Sequence, residues 1–269
     1  MTAISTWTEY VALAKDPRLK MGISKSGGSG IAGRMFSCWP LGGGDNGAAP
    51  TTAVVPTKDT AGAQPNFSNS SFEQFLTRAR PTETNRNGHI LCDRLSHQGG
   101  LSGTTTGEQT TNLPTATLTR YTDGVGVMIG IEIYTVIGTT STNVVARYTN
   151  QAGTGSRTTQ AVSIGNTGFR EGNRLILLPL QDGDYGVQSV EGVTLAASTG
   201  TAGNFGVTLF RPLFPLGYCD AAIPYVLDGP LGCGMLPKVV NDACLFWIVT
   251  ANSASTFGPL LGTLHAIEP

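Results

Sequence analysis

Residues 125–137 read VGVMIGIEIYTVI, and the period of that stretch decides the fold class. Val125, Val127, Ile129, Ile131 and Ile133 recur at every second position, the spacing that puts side chains on one face of a β-strand. Gly126, Met128, Gly130, Glu132 and Tyr134 share the other face. The alternation predicts one face turned to a core and the other to solvent or a partner.

Working outward, the same kind of segment recurs at His89–Leu95, Thr115–Tyr121, Asn143–Thr149, Thr158–Ile164, Arg174–Leu180, Val187–Ala197, Phe205–Arg211 and Cys244–Thr250. Turn formers punctuate them at Asp123-Gly124, Gly138, Gly153–Gly155, Asp182-Gly183 and Gly200–Gly203. No helix-period segment separates these strands, which excludes βαβ units. The expected fold is all-β, an antiparallel jelly-roll-like or immunoglobulin-like sandwich with a short N-terminal helix and a long Gly-rich arm.

The helix is marked by Thr6 and Glu9, a capping box, and by Trp7, Val11 and Ala14 at helical spacing. The Asp16-Pro17 step stops it. Residues 22–66 carry turn formers at almost every second position and read as a loop system or arm that orders on a partner. A second helix is predicted over Ser71–Arg80 (SFEQFLTRAR), ended by Pro81. The domain division that follows is 1–66 for the helix and extended arm, and 67–269 for the β-sandwich.

Only 13% of the residues are charged, against about 25% in ordinary soluble chains. Their place is taken by Gly, Ser and 35 threonines. A net charge of −1, five lysines and twelve scattered arginines exclude the electrostatic attraction on which bulk nucleic-acid binding depends. No apolar run approaches the roughly 18 residues that span a bilayer, and the first twenty residues lack the order of a secretory signal. The expected setting is therefore a cytoplasm, with no membrane partner. Cys38, Cys92, Cys219, Cys233 and Cys244 contain no CxxC pair and read as buried free thiols.

Each chemical motif competes with a plainer explanation. Gly28-Ser29-Gly30-Ile31-Ala32-Gly33 matches GxGxxG, but no strand precedes it and no helix follows, so it reads as a flexible loop. His97, with Asp93, Ser96, Cys92 and Ser102 nearby, is the best candidate for a catalytic base, and a strand-end histidine bonded to a turn is the preferred reading. No two histidines stand at metal-ligand spacing. Asp182 and Asp184 could offer carboxylates to calcium, although Asp182-Gly183 is also a favoured hairpin turn. Glu132 and Glu191 form a conceivable glycosidase pair, and both also suit solvent-facing strand positions. The sequence thus assigns no catalytic, cofactor-binding or metal residue, and no cofactor.

CDRLSHQGGLSGTTTGEQTTNLPTATLTRYTDGVGV, YTNQAGTGSRTT and TGFREGNRLILLPLQDGDYGVQSVEGVTLAASTGTAGNFGVTLFRPL, within Leu91–Leu213, resemble a family of tailed-bacteriophage virion structural proteins. WTEYVALAKDPRLKMGISKSG and RMFSCWP are similar to the same family. The resemblance implies a structural component of a particle, encoded among head genes, and supplies no catalytic residues. A capsid cement, decoration or minor capsid protein is the expectation, assembled into the virion in the host cytoplasm, with major capsid protein subunits as partners and a homo-oligomer as the chain's own state.

Two alternatives stand beside it: a tail, baseplate or adhesion component, and a hydrolase or carbohydrate-binding module. The expected partner surface is residues 22–66, then the loop Gln98–Asn112. Arg34, Phe36 and Trp39 are the individual anchors to test, and a short strand packed on the domain is the equal alternative for RMFSCWP.

Overall fold

A computed structural model describes residues 6–15, 19–42, 45–66, 74–111, 118–218, 226–230, 234, 236–252 and 256–268. In chain order its elements are helix α1 (Trp7–Lys15) and strands β1 (Leu19–Lys25), β2 (Gly28–Ser29), β3 (Arg34–Ser37), β4 (Gln74–Thr82), β5 (Gly88–Leu101), β6 (Gln109–Thr110), β7 (Met128–Thr135), β8 (Thr142–Asn150) and β9 (Arg157–Thr158). They continue with β10 (Val162–Ile164), β11 (Leu175–Leu178), β12 (Val187–Leu195), β13 (Asn204–Tyr218), β14 (Leu227–Asp228), β15 (Lys238–Val239), β16 (Leu245–Ala251), β17 (Thr256–Phe257) and β18 (Leu260–Ile267).

The chain is an all-β antiparallel sandwich. A six-stranded sheet in the order β11-β7-β13-β5-β16-β3 runs through its middle, built on the long pair β5 and β13. Two five-stranded sheets share buried clusters with one face of it. Strands β10-β8-β12-β6, with β9 on β8, enclose Val144, Ala146, Tyr148, Val190 and Val193 against Ile129, Ile131, Ile133, Val207 and Leu209. Strands β1-β18-β4-β14, with β15 on β4, enclose Met21, Ile23, Leu76, Leu264 and Ala266 against Leu91, Phe214, Trp247 and Val249.

The opposite face of the six-stranded sheet is buried as well. Along β16, Leu245, Trp247 and Val249 join the second cluster, while Phe246 and Ile248 join a third one with Trp39, Cys92, Leu175 and Phe210. A strand buried on both faces becomes a continuous apolar run, which is what LFWIV is. The prediction of one core face and one solvent or partner face for 125–137 is corrected here: Gly130 and Glu132 are buried, and Met128 and Tyr134 are half-buried. Val125 falls outside the alternation because Gly126, at φ 71°, turns the chain before β7 begins.

The cover over that second face is the Gly-rich segment itself, so the arm and the boundary at residue 66 are corrected. β1 pairs with β18 and β3 with β16, joining residues on both sides of that boundary. Residues 45–66, which follow β3, cross the sheet over β5 and β16 as a strap. Val54 and His97 exchange backbone hydrogen bonds at 3.0 and 3.1 Å, Gly99 N–H donates to the Pro50 carbonyl at 2.6 Å, and Gln64 N–H donates to the Leu245 carbonyl at 2.6 Å. Trp247 Nε1 donates to Gln64 Oε1 at 3.0 Å, and Lys25 Nζ to the Gly62 carbonyl at 2.8 Å. A loop can lie against a core when its polar backbone groups find such partners.

Two further expectations change. Residues 74–80 of the predicted second helix lie in β4, hydrogen-bonded to β18 on one side and to β14 and β15 on the other. Pairing on both edges and burial of Leu76 and Ala79 outweigh helix propensity; residues 71–73 lie outside the described residues. Of the strand predicted over Thr115–Tyr121, residue 118 is irregular, residues 119–121 form bends, with Tyr121 at φ 51°, and 115–117 lie outside the described residues.

The capping box stands as read: Thr6 N–H donates to Glu9 Oε2 at 2.9 Å, and Glu9 N–H to Thr6 Oγ1 at 3.2 Å. The Asp16-Pro17 stop falls outside the described residues. Gly28–Gly33 is a two-residue strand on β17 followed by a turn leading into β3, with no helix after it.

Candidate functional site

A charge inside an otherwise apolar sheet face needs a partner, and the strap covers two such charges. Arg94 of β5 and Glu132 of β7 form a bidentate pair, Nη1 to Oε2 at 2.7 Å and Nη2 to Oε1 at 3.1 Å, with neither side chain exposed. Arg94 also donates to Thr208 Oγ1 at 3.1 Å and to Ser37 Oγ at 3.2 Å. Its guanidinium lies between the rings of Trp39 and Phe246, at 4.4 and 4.3 Å from their centroids. Tyr134 O–H donates to Glu132 Oε2 at 3.1 Å and lies 3.3 Å from His97 Nδ1, while the Trp39 ring meets His97 edge-on at 5.1 Å.

Local backbone irregularity assembles this cluster. In a regular strand, positions three apart point to opposite faces. Between Leu209↔Ser96 and Phe210↔Arg94 the β5–β13 register skips Leu95, a bulge that lets both Arg94 and His97 meet Trp39.

The electrostatics follow from burial and the ion pair. Burial alone would raise the Glu132 carboxyl, but the Arg94 charge and hydrogen bonds outweigh it and hold it down to about 2. Burial, reinforced by Arg94, lowers His97 to about 3, so its imidazole is neutral near pH 7. Burial and the neighbouring Glu132 charge push the Tyr134 hydroxyl upward. A histidine at about 3 is far below the value a general base needs near neutrality, and the site's chemistry is that of a rigid clamp between β3, β5, β7, β13 and the strap.

The other candidates from the sequence are not brought together with it. Asp93 accepts from Arg120 Nε and Nη2, both at 3.0 Å, and from the Cys244 backbone N–H at 2.9 Å. Ser96 Oγ is buried without a hydrogen-bond partner among the described residues. Asp93, Ser96 and His97 thus form no relay. Glu191 lies on β12 in another sheet, bonded to Arg147 and Thr149. Asp184 accepts from Tyr148, Asn150 and Arg157, and the Arg157 hydrogen bond, then that of Tyr148, lowers it to about 2; Gly183 makes the turn at φ 87°.

Cys38, Cys92 and Cys244 are buried free thiols, raised by burial; Cys219 and Cys233 lie outside the described residues. Among the described residues no group of three His, Cys, Asp or Glu side chains could hold a metal ion.

The predicted anchors divide. Phe36 and Trp39 are buried, and only Arg34 is partly accessible, its guanidinium over the Phe169 ring at 4.2 Å. Phe36 and Trp39 are therefore corrected from exposed anchors to core residues, and Arg34–Ser37 is the short packed strand that was the alternative. Of the loop Gln98–Asn112, residues 98–101 belong to β5, 104–108 are exposed, and Asn112 lies outside the described residues.

Sequence reasoning passed over Arg94, Arg120 and Tyr134. The available signal was Glu132 itself, a single carboxylate within an apolar strand. Compared with protein-family models, curated proteins and solved structures, the chain has no match.

Proposed function

We propose that this protein is a structural component of a tailed-bacteriophage virion, a cement, decoration or minor capsid protein that binds major capsid subunits and stabilises the head. The observation that carries this reading is the depletion of charge from the surface. The chain has few charges, and the fold takes Lys25, Glu83, Asp93, Arg94, Arg120, Glu132 and Arg174 inside. Ordinary solvated surfaces keep such residues outside, whereas charge is depleted in the cores of protein interfaces. Trp7, Val54, Val136, Tyr185, Val226 and Leu261 stand exposed on that neutral surface. The resemblance of Leu91–Leu213 to phage virion proteins supports the same reading, as does a β framework clamped by buried ion pairs. Function still belongs to surfaces rather than to the fold.

The test is imaging of purified virions made with and without this chain, combined with its copy number by quantitative mass spectrometry. Density lost from the shell at hundreds of copies is the expected result. Loss from the tail at a handful of copies would move the protein to the tail or baseplate, and absence from purified virions would overturn the reading altogether.

A further inference from the structure

Where β13 runs past the end of its pairing with β7 while still paired with β5, a groove of about 340 Å³ opens between Tyr121, Arg211, Pro212 and Leu213 on one side and Leu236, Pro237, Lys238 and Val240 on the other. Its walls are mainly apolar, and its charged groups are both cations. The Arg211 guanidinium lies over the Tyr121 ring, 4.3 Å from the centroid. Among the described residues Arg211 has no hydrogen-bond acceptor and no carboxylate within ion-pair distance, unlike Arg94, Arg120, Arg147 and Arg157.

The surface continues past the groove. A Cβ built on Gly126 would meet Arg211 Nε at 3.8 Å, Gly126 N–H donates to the Tyr185 carbonyl at 3.1 Å, and Val125 bridges Gly186. That path leads from Arg211 to Val125 and to Tyr185, which is 64% exposed.

From this arrangement we infer a docking site for an extended protein segment carrying one carboxylate between apolar side chains. A planar guanidinium held on an aromatic ring has lost much of its freedom before binding and presents paired N–H donors, the arrangement that takes a carboxylate in bidentate fashion. The apolar walls and the two tyrosines supply contact area, and Tyr and Arg are enriched where binding energy concentrates. In the shell-binding reading, on which the partner's origin rests, the segment belongs to a neighbouring capsid subunit.

The test titrates the full-length protein with the peptide Ac-Leu-Pro-Glu-Leu-Val-NH2 and with its Gln counterpart, following the Arg211 side-chain N–H signal by NMR. The Glu peptide is expected to bind at least tenfold more tightly than the Gln peptide. R211Q should erase that difference, and R211K, which keeps the charge but not the fork, should lose most of it. Y185A should weaken both peptides. Unchanged thermal unfolding of each variant shows that folding is intact.

Equal affinity for the two peptides, or no binding of either, overturns the site. So does concentration-dependent self-association removed by R211Q, which gives the surface to a second copy of this chain. The two readings fail separately. Peptide discrimination by a chain absent from virions leaves the groove standing, and full occupancy of R211Q on heads without peptide discrimination leaves only the shell role.

Discussion

At the residue scale, the buried pair Arg94–Glu132 makes a sharp stability prediction. Removing one partner strands the other charge in a fully buried site, a loss of about 3–5 kcal/mol, whereas removing both costs less because no charge remains uncompensated. Glu132→Leu should show the full loss in urea unfolding at pH 7, and Arg94→Met/Glu132→Leu should be more stable than that single variant.

His97 predicts a pH dependence. Its folded value of about 3 lies below the ordinary 6.5, so between those values the unfolded chain binds the extra proton and acid favours unfolding. Stability should fall as pH drops below 6.5, by at most ~1.4 kcal/mol per unit from this group. Glu132, held at about 2 against an ordinary 4.5, adds a second loss that is complete only as pH falls through about 2. His97→Gln should flatten the profile between pH 6.5 and 4.5, as read by unfolding midpoints. An unchanged slope would mean that His97 is protonated in the folded chain.

At the element scale, the strap depends on close approaches that only glycine allows. A Cβ on Gly47 would lie 2.2 Å from the Trp39 indole, so Gly47→Ala must displace the strap from the ring that covers Arg94. The expected cost is ~1–3 kcal/mol, or several degrees in Tm, with a red shift in tryptophan emission. Gly107→Ala, with nothing within 4 Å of the new atom, should leave Tm nearly unchanged.

Removing residues 1–66 should leave an insoluble product in expression trials, because it strips β1 and β3 from their sheets and uncovers the Arg94–Glu132 pair. The strap was hidden from sequence reading because Gly, Pro and Thr mark irregular backbone without saying where it lies. β4 was hidden because FEQFLTRA fits helical spacing, while its pairing partners lie more than 150 residues away in β18. The nine-strand pattern was more readable: eight of the predicted segments contain strands, since period-two alternation is a local property. His97 was legible as a residue, but its sharing a face with Arg94 depends on a bulge set by the pairing of β5 with β13.

At the scale of the whole molecule, a surface with little net charge exerts little long-range steering. If the chain is the head component proposed above, its attachment to purified heads should therefore change less than tenfold between about 50 and 300 mM salt, as measured by co-sedimentation. A steeper dependence would mean that clustered charges, not the apolar and hydroxyl-rich surface, dominate the interface.

By itself the sequence determined that this chain is a β protein with a capped N-terminal helix, buried thiols and few charges, because alternation, capping and composition are encoded over a few residues at a time. The tertiary structure decided that the Gly-rich segment is a strap over a second buried face, that Phe36 and Trp39 belong to the core, and that Glu132 is clamped by Arg94. Those outcomes depend on which distant strands pair and on a register shift at Leu95, and no local pattern carries that information.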